Sequence, residues 1–209
     1  MPVPYSRGVI AMQILSLRFV EVRNPEGGAY KRYHVLADEN ECVRFDLTKR
    51  TIGKPVDMVN LLDQSVRTLT PERKLLCRQW HLAGGDPAEE GQIAAKGSDT
   101  WLVHGPSQTE LFRVVDPRRL ATKTLETMLG SWPDSYAVVS GDQCVGVIRR
   151  ALKPGQEEPT NRLGKLAGLF KDRDWALVLS QPIPLQAAYR MIASVLLLIE
   201  VTVSGARAG

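Results

Sequence analysis

Apolar residues recur at every second position over most of this chain, the spacing expected of strands with one buried face. Ile14-x-Ser16-x-Arg18-x-Val20-x-Val22 is the first such run. Asn24-Pro-Glu-Gly-Gly28 follows it with turn chemistry, because Gly tolerates positive φ and Pro fixes its own. Tyr30–Leu36, the polar turn Asp38-Glu-Asn40 and Cys42–Leu47 continue the pattern. Together they predict a meander of antiparallel strands.

The middle of the chain repeats one theme, a strand with a large residue, a polar turn and a return strand. Trp80-His-Leu-Ala turns at Gly84-Gly-Asp-Pro87 and returns as Gly91–Lys96. Trp101-Leu-Val-His turns at Gly105-Pro-Ser-Gln108 and returns as Glu110–Val115, and Tyr136–Ser140 turns at Gly141-Asp and returns as Gln143–Arg150. These are hairpin signals, and their repetition argues for a curved meander rather than a parallel sheet. Trp175–Leu179 is a further strand, and the polar, turn-rich run Lys153–Thr160 reads as an exposed loop.

Two stretches break the period. In residues 51–76, apolar positions 56, 58, 59, 61, 62 and 66 approximate a helical face, and Thr70-Pro71 has the form of a helix start. Thr70-Pro71 also suits a lead into a strand over Leu75–Leu82. Residues 51–76 are expected either to cover the rest of the fold as a helix or to form an interface. The second stretch is Leu185–Val203, LQAAYRMIASVLLLIEVTV. Arg190, Ser194 and Glu200 punctuate it, and a spanning helix wants about 20 mostly apolar residues. Charges near both of its ends would be costly in lipid. It therefore predicts a buried helix, with a membrane tail anchor as the competing reading. Barrel closure removes exposed strand edges. A helix that is apolar nearly all round must be buried on all sides, so it is the natural filler of such a barrel.

The expected architecture is mostly β: a closed antiparallel barrel around a buried hydrophobic C-terminal helix. With 209 residues, one domain is expected. Residues 1–11 read as a loose tail, 12–204 as a single barrel domain with its helix at about 184–204, and 205–209 as a second tail. Met12 is an alternative start. Ordinary hydrophobic and charged fractions exclude wholesale disorder, collagen and a long coiled coil, while 17 Gly and 13 Pro suit many turns. The net charge of +4 is too small to announce a nucleic-acid binder. Cys42, Cys77 and Cys144 are odd in number and far apart, which predicts reduced, part-buried thiols in a cytoplasmic setting.

On two segments the chain resembles the tubby-like superfamily, which includes tubby C-terminal domains, phospholipid scramblases and LURP-one-related proteins. Tyr136–Arg150 (YAVVSGDQCVGVIRR) has the family's apolar strand, Gly-Asp turn and Gly-x-Ile-basic return. Asp172-x-Asp174-Trp175-x-Leu177-x-Leu179, then Pro182-x-x-Leu185 and the apolar helix, is similar to the scramblase ending. The resemblance spans roughly Met12 to Val203. It implies a barrel of about a dozen strands around a hydrophobic helix. No cysteine cluster precedes the barrel, so scramblase-like palmitoylation is not implied.

Candidate chemistry is sparse. His34, His81 and His104 each fall in a strand, and the chain has no G-x-S-x-G, P-loop, G-x-G-x-x-G or H-E-x-x-H motif. No catalytic residue, metal or cofactor is predicted. Asp172 and Asp174 are flanked by Lys171 and Arg173, which would repel a cation, so they read as a solvated turn. Basic residues fall in clusters at Lys31-Arg32, Lys49-Arg50, Arg118-Arg119 with Lys123, and along 149–165. Converging Lys and Arg side chains bind phosphates through charge-assisted hydrogen bonds, and in tubby proteins a basic barrel face binds phosphoinositide headgroups. The candidate anion- or lipid-binding residues are Arg149, Arg150, Lys153, Arg162 and Lys165. Adjacent strand residues point to opposite faces, so Arg149 and Arg150 can share a site only if the strand has ended before them. Aromatics are only 6% of the chain and its Trp residues sit in apolar strands or turns, so nucleic acid is not an expected partner. The expected function is a non-enzymatic binding or scaffold module of tubby-like type, cytoplasmic or peripheral to a membrane, that engages an anionic lipid surface. The alternative is a scramblase-like lipid-handling protein with its last helix in the bilayer, and an enzyme is third.

Overall fold

The computed structural model describes residues 12–23, 25–26, 30–47, 54–74, 77–96, 100–116, 135–152 and 174–205. They form twelve strands and one α-helix: β1 (Gln13–Arg23), β2 (Lys31–Ala37), β3 (Asn40–Leu47), β4 (Val56–Asn60), β5 (Val66–Lys74), β6 (Cys77–Ala83), β7 (Gly91–Lys96), β8 (Thr100–His104), β9 (Glu110–Val115), β10 (Ser135–Ser140), β11 (Gln143–Ala151), β12 (Asp174–Pro184) and α1 (Leu185–Gly205). A short 3-10 turn, Pro87–Glu89, lies between β6 and β7. Every strand pairs antiparallel with its neighbours in sequence, and β1 closes the barrel against β12. No sheet edge is left open, which is how a meander of this length avoids edge pairing.

Alternation along the strands sorts side chains to the two faces. β2 is the clearest case: Tyr33, Val35 and Ala37 are buried while His34 and Leu36 are half-buried on the outer face. Trp80 and Trp101 lie on the inner face and stack with ring centroids 5.7 Å apart, and Tyr136 packs against Trp175 at 6.3 Å. The inner faces close on α1, which is buried from Ile192 to Glu200 without interruption. Six of those side chains, Ile192, Val195, Leu196, Leu197, Leu198 and Ile199, are large aliphatics. At about 2 kcal/mol each their burial stabilises the fold by roughly 12 kcal/mol, comparable with the net stability of a whole domain. None of the described helices is long and apolar enough to cross a membrane.

The expectation for residues 51–76 is corrected. Residues 55–66 do not form a helix: β4 and β5 are strands of the barrel wall, and Thr70 and Pro71 lie inside β5. Alternation was hidden because Asn60 and Arg67, both polar, face inward, while Val59 and Val66 face outward. Asn60 is satisfied by a helix far away in the sequence and Arg67 by Glu89 of the wall, both described below. Asp174 is a second correction, being a buried partner of Arg18 rather than part of a solvated turn, with Arg18 Nε 3.0 Å from its Oδ2. Cys42 is buried as expected, whereas Cys144 is exposed. The tails at 1–11 and 206–209, the loop 153–160, Asp172 and Trp132 lie outside the described residues.

Candidate functional site: the two charged ends of the barrel

Because the strands alternate in direction, the connections alternate between the two ends of the barrel. One end, here the hairpin end, gathers the turns 38–39, 61–65, 84–90, 105–109 and 141–142, and α1 begins there after β12. The far end gathers the other connections and the last turns of α1. At both ends polar groups of the wall reach inward to the helix.

At the hairpin end, Arg67 Nε donates to Glu89 Oε2 at 2.7 Å, and its Nη2 bonds the same oxygen. The Arg67 guanidinium lies flat on the Tyr189 ring, with Cζ 3.6 Å from the centroid. Asn60 Nδ2 donates to the Tyr189 hydroxyl at 2.8 Å. Burial pushes the Tyr189 phenol up to about 12, although the Arg67 charge works against that shift. One residue on, Arg190 Nη1 donates to the carbonyls of Ala88 (2.6 Å) and Glu90 (3.0 Å). Gly91 makes this approach possible, since a Cβ there would stand 2.8 Å from Arg190 Cδ and 2.5 Å from the His104 carbonyl oxygen. Burial lowers the Arg190 pKa, which Glu89 partly offsets.

At the far end, Lys31 Nζ lies 2.7 Å from Glu200 Oε1 and 3.5 Å from Glu21 Oε2. The Tyr33 hydroxyl has one proton to share between the two carboxylates and lies 3.0 Å from Glu21 Oε2 and closer still to Glu200 Oε1. Burial and the two carboxylates drive the Tyr33 phenol far above its ordinary value, so it remains a hydrogen-bond donor. Burial pushes the Glu21 carboxyl up, but the Arg23 hydrogen bond and the Lys31 charge outweigh it and the pKa ends below its ordinary value. A buried charge is tolerated only when paired and hydrogen-bonded; the far-end clasp meets that condition, whereas Arg190 is held by two carbonyls and its buried Nε has no partner among the described residues. Arg190 and Glu200, the two charges that interrupt the apolar helix, are thus the residues that fix it to the wall.

Among the described residues α1 and the inner faces of the strands pack into one core, which leaves the outer surface for recognition. Charge is segregated there. The exposed cations among the described side chains are Arg23, Lys54, Arg78, Lys96 and Arg149, and all five lie toward the far end. Of the exposed anions, Asp38, Glu39, Asp63, Asp86, Glu110 and Asp142 lie at the hairpin end; only Glu26 and Asp57 lie toward the far end.

The structure places two of the five candidate site residues. Arg149 is exposed on the outer face of β11, paired in register with Ser135 and Ala176. Arg150 points the other way and sets its guanidinium 5.3 Å from the centroid of the Trp175 ring. β11 runs on to Ala151, so the strand has not ended and the two arginines do not converge. Lys153, Arg162 and Lys165 lie outside the described residues. Arg78 and Lys96 were absent from the sequence-derived set because each stands in isolation; only strand direction shows that they share an end with Arg149. His34 Nδ1 lies 2.6 Å from Glu41, and His81 Nε2 lies 3.1 Å from Glu72. No group of three or more potential metal ligands occurs among the described residues.

The chain matches no family model, no curated protein and no solved structure.

Proposed function

We propose that this protein is a tubby-like, non-enzymatic binding or scaffold module that engages an anionic lipid surface. The observation that carries the reading is the segregation of charge: every exposed cation among the described side chains lies toward one end of the barrel. A small net charge conceals an uneven distribution in which the described exposed cations outnumber the anions at one end, and long-range attraction follows the local field rather than the total. The kinship rests on the Tyr136–Arg150 hairpin and the Asp174–Leu185 ending. A closed twelve-stranded barrel around its last helix is the architecture which that resemblance implies. The module carries its ligand outside, because α1 occupies the interior. Insertion of α1 into a bilayer would require it to leave the barrel and break the Lys31–Glu200 and Arg190 contacts, each costly to expose unpaired in lipid.

Sedimentation with vesicles tests the proposal. The protein is expected to pellet with phosphatidylcholine vesicles containing phosphatidylserine or a phosphoinositide, and to stay in solution with phosphatidylcholine alone. Binding should fall as salt rises, since exposed charges more than about 8 Å from their partners are largely screened at physiological ionic strength. Binding that ignores both lipid charge and salt overturns it.

A further inference from the structure

The division of charge between the two ends also has a direction. We infer that the barrel meets an anionic bilayer end-on, with its far end against the lipid and its hairpin end turned away. This inference rests on the anionic-surface reading and adds a geometry to it. Arg23, Lys54, Arg78, Lys96 and Arg149 come from β1, the approach to β4, β6, β7 and β11, so they are spread around the far rim rather than down one side. A flat charged surface can meet a distributed rim only when the barrel stands upright. β11 has nine residues. At about 3.3 Å per residue and a tilt of about 40° it spans roughly 20–25 Å along the axis. That height is two to three Debye lengths at physiological salt. The anionic side chains Asp38, Asp63, Asp86, Glu110 and Asp142 at the hairpin end therefore lie beyond the reach of a surface that touches the far rim, whereas Glu39 is held by Arg18, 3.6 Å from its Nη1. A barrel lying on its side would bring both ends within that reach and lose most of the attraction.

Arg23 shares its charge with Glu21, its Nε 2.7 Å from Glu21 Oε1. Arg78, Lys96 and Arg149 are exposed on three separate strands. Each basic residue near an anionic leaflet strengthens binding about five-fold.

Two measurements with phosphatidylserine-containing vesicles test the orientation. The triple variant Arg78→Gln, Lys96→Gln, Arg149→Gln is expected to bind about a hundred-fold more weakly. The triple variant Asp38→Asn, Glu110→Gln, Asp142→Asn should bind within about five-fold of the unmodified chain. For the second measurement, both samples carry Cys77→Ser; Cys144, exposed at the hairpin end, carries a fluorophore in one, and Lys96→Cys carries it together with Cys144→Ser in the other. A nitroxide-bearing lipid should quench the label at 96 and leave the label at 144 bright. Equal weakening of the two triple variants, or quenching at 144, overturns the end-on geometry while leaving the anionic-surface reading in place. Failure of the unmodified chain to bind these vesicles overturns that reading instead. Stoichiometric capture by inorganic polyphosphate in preference to the vesicles would identify a soluble polyanion as the ligand and likewise overturn the seating on lipid.

Discussion

The two ends of the barrel solve one problem in different ways. Each must bury a charge carried by the helix, and each does so with residues from the wall. At the far end the solution is ionic: Lys31 stands between Glu200 and Glu21, and the Tyr33 hydroxyl lies within hydrogen-bond distance of both carboxylates. At the hairpin end the helix contributes a cation and a phenol. Backbone carbonyls take the Arg190 guanidinium, while the Arg67–Glu89 pair belongs to the wall and merely rests on the Tyr189 ring. The far clasp therefore depends on helix and wall together. The near pair takes no ionic partner from the helix, only the aromatic surface beneath its guanidinium. An ion pair that crosses between elements specifies docking; one within the wall shapes the wall.

Removing the helix gives the largest effect that separates these roles. A chain ending at residue 184 should fail to fold, because the lost burial is as large as the stability of a domain. Absence of a cooperative thermal transition checks this, and a well-behaved truncated globule would refute the dependence of the wall on α1. The clasps give the next largest effect. Glu200→Leu leaves Lys31 short of its closest partner, and Lys31→Met leaves Glu200 buried without its cation, so each should cost about 3–5 kcal/mol in chemical denaturation. The double variant should recover much of that loss, because a buried pair replaced by apolar side chains is often close to neutral. Tyr189→Phe at the hairpin end removes only the acceptor of the Asn60 bond and should cost about 1–3 kcal/mol.

Alkali should separate buried groups from exposed ones. Burial pushes the Cys42 thiol up to about 11 and the Tyr189 phenol to about 12, against ordinary values of 9.0 and 10.0. Between the ordinary and the raised value the folded chain holds a proton that the unfolded chain has released. Stability is therefore complete below about pH 9 and falls as pH rises toward 11 and 12. Two pH units of linkage are worth about 3 kcal/mol per group. Cys42→Ala should remove the earlier part of the decline, measured as the melting temperature between pH 8 and 11.

The wall was legible wherever the inner face is apolar. The hairpins β6–β7, β8–β9 and β10–β11 follow the repeated strand-turn-strand units, and the helix follows its mostly apolar run. β4 and β5 were not legible, because Asn60 and Arg67 occupy inward positions normally filled by apolar residues. Their partners include Tyr189, more than a hundred positions away, and no local pattern reveals such a contact. The basic clusters were visible as clusters. Their common end was not, since that follows only when each strand has a direction. For the same reason Arg149 and Arg150, neighbours in sequence, are parted by the pleat.

The closing seam between β1 and β12 bears on how the chain is made. Arg18 and Asp174, which lock it, are 156 positions apart, and the pairing of such distant segments is slow because loop closure must precede any gain. A ribosome delivers residues in order, so the first strand waits with one flank unpaired while nearly all the rest is synthesised. The interior, too, stays unfilled until its last segment emerges. Nascent chains of this design spend most of their synthesis with adhesive surface on view, the condition under which chaperones are needed.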